Sequence, residues 1–456
     1  MTAVESREGV LAALGRHWNP TAAAMLAGSG RQLEGHAEGT RVWSEDGAEA
    51  LDLAGSFGVF LVGHGNPRVR AAVLDTLYAA PTVPPGAVHP ATAELCVLLR
   101  EVLPAGLEHF VLGCSGADVT ETALRAVRLA RPDRPRIVVL EGGYHGKTLG
   151  SMPVLGQAHQ RHQFEPLGGD LVVLPYGDAR AVEAALADRR VAAVIVEPVL
   201  GGGYLTVPPA GYLAAVARAC ADTGTLLVAD EIQTGFGRTG RMFAVDHDGV
   251  SPDIMLLSKS LTGGVVPVAV CALTRQVVED ARRHPGHHEA LLTADSCTSA
   301  LAVAAAAATI IEVRERDLPA RAAVLGARLG QGLAEIVRRH PRHVLDAPAI
   351  GLMTGLRTRN PAVELMLTMG LAARGIHTGF SLSEEIRRPV LRLYPPLTCT
   401  EAEIDRVLAA TEEVLAGLDR RSRLMTTVTS WLLRRQYGRQ AARVRRLIGW
   451  SFRLPW

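Results

Sequence analysis

The sequence predicts an α/β protein: a large domain with a mainly parallel sheet between helices, plus a smaller α+β domain assembled from both chain ends. Three observations carry that prediction. Through the middle of the chain, short apolar runs bounded by Gly, Pro and Asp alternate with helical patterns. Strand-like segments near the start and the end lie outside that alternation. The 456 residues are 48% hydrophobic and 21% charged, which supports a sizeable core and excludes a disordered chain.

The elements follow in order. LDLAGSFGVFLVGHG (51–65) is strand-like. HFVLGC (109–114) reads as a buried strand leading into a helix over 119–130. RIVVLE (136–141), VAAVIVEP (191–198), TLLVADE (225–231) and IMLLS (254–258) are further buried strands. Helical patterns over 180–188 and 212–223 lie between them. Strand, helix, strand in this repetition implies a parallel sheet covered by helices. The alanine run 302–308 sits in a helical pattern, and helices over 318–338 and 401–418 flank the late strand-like VLRLYPPL (390–397). The expected division is 1–74 and 316–419 for the two parts of the small domain, 75–315 for the large domain, and 420–456 as a tail.

No run of 18 apolar residues occurs, so no membrane span is expected. The start MTAVESREGV has acids and no apolar core, unlike a secretory signal. Six scattered cysteines form no C-x-x-C pair, which argues for a reduced, cytoplasmic setting.

Of 48 basic residues only two, Lys147 and Lys259, are lysines, and both lie in glycine-rich segments. Arginine replaces lysine as a surface cation but cannot form an imine, so a retained lysine is a candidate for Schiff-base chemistry. Lys259 follows a buried strand in LLSKSLTGG, and the strand TLLVA before it ends in Asp230. An acid and a lysine at neighbouring strand ends suit pyridoxal 5′-phosphate: the lysine holds the aldehyde and the acid keeps the pyridine nitrogen protonated. Lys147, with no acid on an adjacent strand, ranks below Lys259. CSGA (114–117) at a helix start offers free N–H groups and the Ser115 hydroxyl to an anion, although such a segment alone is most often a cap. EGGYHGKTLGS (141–151) places Tyr144 and His145 among glycines, where an aromatic ring can stack on a flat cofactor. GFGRTG (235–240) matches G-x-G-x-x-G, but Asp230 to Thr234 separate it from its strand and no helical pattern follows, so a dinucleotide site is a poor reading. His284, His287, His288 and Glu289 fall in a Pro/Gly loop without a helical pair and read as solvated.

Together these segments resemble the class III pyridoxal-phosphate aminotransferases of fold type I, over roughly residues 20–418. The strongest likeness is LLVADEIQTGFGRTGRMFAVDHDGVSPDIMLLSKSLTGG (226–264), supported by GHGNP (63–67), CSGADVTE (114–121), GGYHGKT (142–148) and VIVEP (194–198). The resemblance implies that Lys259 carries the cofactor and then shuttles the proton, and that Asp230 pairs with the pyridine nitrogen. It puts Gln233 near the phenolic oxygen, Tyr144 on one ring face with His145 beside it, and Ile232 on the other face. Ser115, Gly116 and Ala117 would hold the phosphate, Glu197 would face the substrate, and Arg392 would grip a carboxylate. A homodimer acting on small amine and oxo-acid substrates is implied as well. The Ser-Lys-Ser form around Lys259 is similar to the diaminobutyrate and ectoine-type branch.

One departure stands out. Where the family offers a partner-subunit threonine to the phosphate, this chain has Asp295-Ser296, so Ser296, Thr293 or Thr298 must substitute or the loop is rebuilt. The tail also departs: 420–456 holds ten arginines and no acid, leaving 38 basic against 46 acidic residues, a net −8, in 1–419. At 100° per residue, Leu433, Tyr437, Ala441, Val444 and Ile448 fall within about 80° of arc, opposite Arg435, Arg439, Arg443 and Arg446. This tail either docks on its own acidic body or engages an anionic partner or peptide substrate; no nucleic acid is expected against the acidic body. Alternative readings are a racemase, aminomutase or decarboxylase on the same cofactor, and a non-catalytic scaffold.

Overall fold

The computed structural model describes residues 6–28, 34–79, 88–202, 204–283, 299–379 and 389–419. The histidine loop with His284, His287, His288 and Glu289, the segment with Thr293, Asp295, Ser296 and Thr298, and the basic stretch 420–456 lie outside the described residues.

A seven-stranded sheet organises the large domain. Its order is Leu107–Gly113, Ala269–Thr274, Ile254–Leu257, Leu226–Asp230, Val191–Val196, Arg136–Leu140 and Asp170–Leu174. Only Ala269–Thr274 runs antiparallel to its neighbours. Alternate residues of the strands enter two different cores. Val138, Val194, Leu227 and Met255 pack on one side with Leu95 and Leu99 of helix Pro90–Val102 and Val216 of helix Tyr212–Thr223. Ile137, Ile195, Val228 and Ile254 pack on the other with Val119, Ala123 and Val127 of helix Gly116–Ala130. A sheet covered on both faces needs apolar residues at every position, which is why these strands read as continuous runs and not as alternations. Each fully buried Val or Leu here contributes about 1.5–3 kcal/mol.

Two strands escaped the sequence reading. Asp170–Leu174 is the edge strand and only half-buried, although its run LVVL is as apolar as that of Arg136–Leu140. Ala269–Thr274, six residues long and buried, follows the glycine- and proline-containing GGVVP (263–267). The alanine run packs as expected inside helix Ala300–Glu315, where Ala302, Ala305 and Ala306 are fully buried.

Both chain ends contribute to the smaller sheets. Glu34–Glu38, Arg41–Ser44 and Glu49–Leu53 form an antiparallel ribbon to which Ile376–Thr378 adds in parallel. A second sheet joins Val344–Asp346, Ala349–Ile350, Met353–Thr358 and Val390–Leu393. The segment 51–65 is therefore strand only to Leu53; beyond it lies a tight turn, Gly55–Gly58. The sequence reading of a longer strand-like stretch is corrected here, because glycines at 55 and 58 adopt positive φ that a strand excludes.

GFGRTG (235–240) ties the large domain to the C-terminal part. Arg238, 1% exposed, donates from Nη1 to the carbonyls of Leu352 at 3.1 Å and Pro395 at 2.5 Å. Gly237 sits against Pro319 and Leu397, and Gly240 against Ala323. Among the described residues, no helix is long and apolar enough to cross a membrane.

Candidate active site

Five strand ends meet on one edge of the large sheet. Leu107–Gly113 leads to Ser115, Arg136–Leu140 to the loop with Tyr144 and His145, and Val191–Val196 to Glu197. Leu226–Asp230 ends on its own aspartate. In the parallel register Asp230 lies beside Leu256, so Lys259 emerges three residues further on, at the same edge. Open α/β sheets bind ligands outside the carboxyl ends of their strands. A cavity of about 480 Å³ opens there.

Lys259 begins a short 3-10 turn, Lys259–Thr262, with φ of 37°. A non-glycine residue held in the left-handed region costs about 1–3 kcal/mol, and such strain clusters at functional sites. Asp230 forms the floor with 3% exposure. Its Oδ2 lies 2.7 Å from Nδ1 of His145, and its Oδ1 accepts from the Ile232 N–H at 3.1 Å. Burial opposes protonation of His145, but the hydrogen bond and charge of Asp230, with the charge of Glu197, outweigh it and raise the histidine above its ordinary range.

Glu197 is pushed up to about 7, chiefly by burial; the His145 charge opposes the rise and the Asp230 charge adds to it. Both of its oxygens are held by main-chain donors, the N–H of Tyr144 at 2.7 Å and of Gly201 at 3.2 Å. Glu197 thus lines the cavity and ties two of its loops together. The Tyr176 hydroxyl donates to the carbonyl of Pro198 at 2.8 Å and steadies the same strand end.

Ser115 caps helix Gly116–Ala130, its Oγ accepting from the Asp118 N–H at 3.2 Å. A Cβ at Gly116 would stand 2.9 Å from Cδ1 of Ile232, so the end of that side chain would have to shift. Gln233 donates from Nε2 to the carbonyl of Phe57 at 2.8 Å. Ser115, Gly116 and Ala117 line the cavity, as do Tyr144 and His145 on one wall and Ile232 and Gln233 on another. Arg392 does not. It is 1% exposed, with its guanidinium carbon 5.1 Å from the centre of the ring of Phe57, a residue that lines the cavity. Ser296 lies outside the described residues.

The sequence reading missed Gln157, Gln160, Gly202 and Ser258 as lining residues, and it ranked Lys147 low although that lysine also lines the cavity. Lys147 is exposed, its Nζ 5.3 Å from the Tyr144 ring centre. The two glutamines sit in no strand-end motif, so only the return of their loop over the sheet edge could reveal them.

A family model described as aminotransferase class-III matches residues 32–415. The chain belongs to that family. A putrescine aminotransferase from Pectobacterium atrosepticum is 34% identical over 380 residues, 82% of this chain and 80% of its own. An acetylornithine aminotransferase from Mycolicibacterium smegmatis is 39% identical over 383 residues, 83% of this chain and 92% of its own. Among solved structures, an ornithine aminotransferase from Toxoplasma gondii superimposes with a TM-score of 0.80 at 26% identity, covering 92% of this chain and 99% of that one. An (S)-enantioselective omega-transaminase from Thermomicrobium roseum gives the same TM-score of 0.80 at 26% identity over 90% and 98%. The fold is that of the fold type I enzymes, and class-III aminotransferases use pyridoxal 5′-phosphate.

The residues present fit that cofactor. A helix N-terminus with a serine hydroxyl suits a phosphate, because first-turn N–H groups have no acceptor inside their own helix. A carboxylate at the floor suits a protonated ring nitrogen, and a lysine shares the cavity with it.

Proposed function

We propose that the protein transfers an amino group from a small aliphatic amine or ω-amino acid to an oxo acid, with Lys259 as the residue that holds the cofactor. The observation that carries this reading is the convergence of Lys259 and Asp230 on one cavity from adjacent parallel strands. Bound there, pyridoxal 5′-phosphate supplies an aldehyde for the amine and an electron-accepting ring. Asp230, held by His145, would face the ring nitrogen. Ser115, Gly116 and Ala117 would hold its phosphate, while Tyr144, Ile232 and Gln233, which line the same cavity, would bound the space for its ring. Lys259 would hold the aldehyde and would also serve as the base that moves the proton. Putrescine and acetylornithine, named for the relatives, both carry a primary amine on an aliphatic chain, which motivates the donor class.

Borohydride reduction followed by peptide mapping tests the assignment. A pyridoxyl adduct on Lys259 is expected, and Lys259→Arg should abolish turnover because a guanidinium forms no imine. An adduct on Lys147 would sink it. Turnover that needs no oxo acid would favour a racemase, aminomutase or decarboxylase instead.

The working unit of this reading is a homodimer in the cytoplasm, with Ser296 or a neighbouring threonine supplying the partner's phosphate contact in place of the family residue. The stretch 420–456 is assigned to an anionic partner or peptide substrate on the strength of its ten arginines.

A further inference from the structure

After strand Glu49–Leu53 the chain makes a turn in which four successive residues have positive φ: Gly55 at 53°, Ser56 at 46°, Phe57 at 59° and Gly58 at 97°. For Ser56 and Phe57 this conformation costs about 1–2 kcal/mol each, so contacts outside the turn must hold it. Asp52 supplies them. Its Oδ1 accepts from the N–H groups of Ala54 at 3.0 Å and Gly55 at 3.1 Å. Its Oδ2 lies 2.8 Å from Nε2 of His64.

The pair is buried, Asp52 at 8% and His64 at 7% exposure. His64 is fixed in turn. Its ring stacks on Phe60 with centroids 3.8 Å apart, and its backbone N–H and carbonyl bond to Gly39 at 2.8 and 2.9 Å. Burial alone would raise the Asp52 carboxyl, yet the His64 bond and charge and the two N–H donors hold it below its ordinary value. A buried carboxylate held by three such contacts has one geometry available.

Neither Asp52 nor His64 reaches the cavity, but what they hold does. Ser56 and Phe57 line it, the Phe57 carbonyl accepts from Gln233, and the Phe57 ring centre lies 5.1 Å from the guanidinium carbon of Arg392. We propose that Asp52 and His64 are positioning residues for the amino-group transfer: their buried bond holds the Gly55–Gly58 turn in its left-handed form and so sets Phe57 as the wall against which the substrate chain lies. This rests on the reading of the cavity as the transamination site.

Steady-state kinetics on the holoenzyme test it, with the fastest donor among 1,4-diaminobutane, ornithine and N-acetylornithine, for wild type, His64→Ala, His64→Gln, Phe57→Ala and the His64→Ala/Phe57→Ala double variant. His64→Ala should raise KM for the donor about tenfold with kcat at saturation within about twofold and the cofactor absorbance unchanged. His64→Gln, which keeps a donor near the Nε2 position, should stay within about twofold of wild type. Phe57→Ala should raise KM too, and His64→Ala should add nothing on that background, because both act through one wall. Asp52→Asn gives the same comparison if His64→Ala does not fold. An unchanged KM in His64→Ala, KM effects that multiply in the double variant, or a His64→Gln as damaged as His64→Ala would overturn the inference while leaving the site reading intact. If the wild type bleaches with none of the donors, the site reading falls and the inference with it.

Discussion

Lys259 and Asp230 show how much a single residue type can reveal. In a chain with 46 arginines and two lysines, a lysine marks a position where a permanently charged guanidinium cannot serve. The neighbour of Asp230 is a different case. Glu231 is fully buried and pushed up to about 7 by burial, which outweighs the hydrogen bonds it receives from Thr234 and from the Val245 N–H. A carboxyl raised in the folded state binds its proton there more tightly than in the unfolded chain. The stability associated with it is therefore full below its ordinary value of 4.5 and is lost as pH rises from there to about 7. Glu231→Gln, nearly isosteric and neutral, should gain on the order of 3 kcal/mol relative to wild type between pH 4.5 and pH 8, by the same linkage. Denaturant melts of both proteins at the two pH values check this. A difference that does not change with pH would remove the buried acid from the account.

At the level of elements, the site is a property of strand ends and one helix start. Strand Leu226–Asp230 delivers Asp230 because its apolar run stops there, and the parallel register with Ile254–Leu257 carries Lys259 to the same edge. Helix Gly116–Ala130 begins where Ser115 satisfies the Asp118 N–H, so the same residue caps the helix and faces the cavity. Ser115→Ala should cost about 1 kcal/mol of stability as a lost cap. It should also weaken cofactor retention several-fold, since a hydroxyl donor leaves the phosphate region. Equilibrium dialysis against pyridoxal 5′-phosphate beside a thermal melt separates the two effects. A stability loss with unaltered retention would make Ser115 a cap and nothing more.

On the scale of the whole molecule, the family match ends at residue 415, before the arginine-rich stretch begins. Removing 420–456 leaves the matched region complete, so cofactor absorbance and transamination of small amines should persist while action on an anionic partner falls. Loss of the cofactor on truncation would instead make the stretch structural. The proposed homodimer has its own measurement: sedimentation equilibrium of the holoenzyme should give twice the chain mass of 48.5 kDa. A fully active monomer would remove it.

The alternation of apolar runs and helical patterns, the lysine scarcity and the strand-end acid were legible in the sequence because they are local: a buried parallel strand needs consecutive apolar residues, and an imine needs an amine. Lys259, Asp230, Ser115, Tyr144 and His145 could therefore be picked out and do share one cavity. Three things were not legible. The edge position of strand Asp170–Leu174 is one, since its half-buried run LVVL is as apolar as the buried Arg136–Leu140. Gln157 and Gln160 reach the cavity only through the path of their loop. The third is the burial of Arg392 on strand Val390–Leu393, its guanidinium carbon 5.1 Å from the centre of the Phe57 ring in the left-handed turn near the other end of the chain. That arrangement joins residues more than 330 positions apart, and no local periodicity encodes it; only packing of the two chain ends against the large sheet decides which side chain meets the substrate.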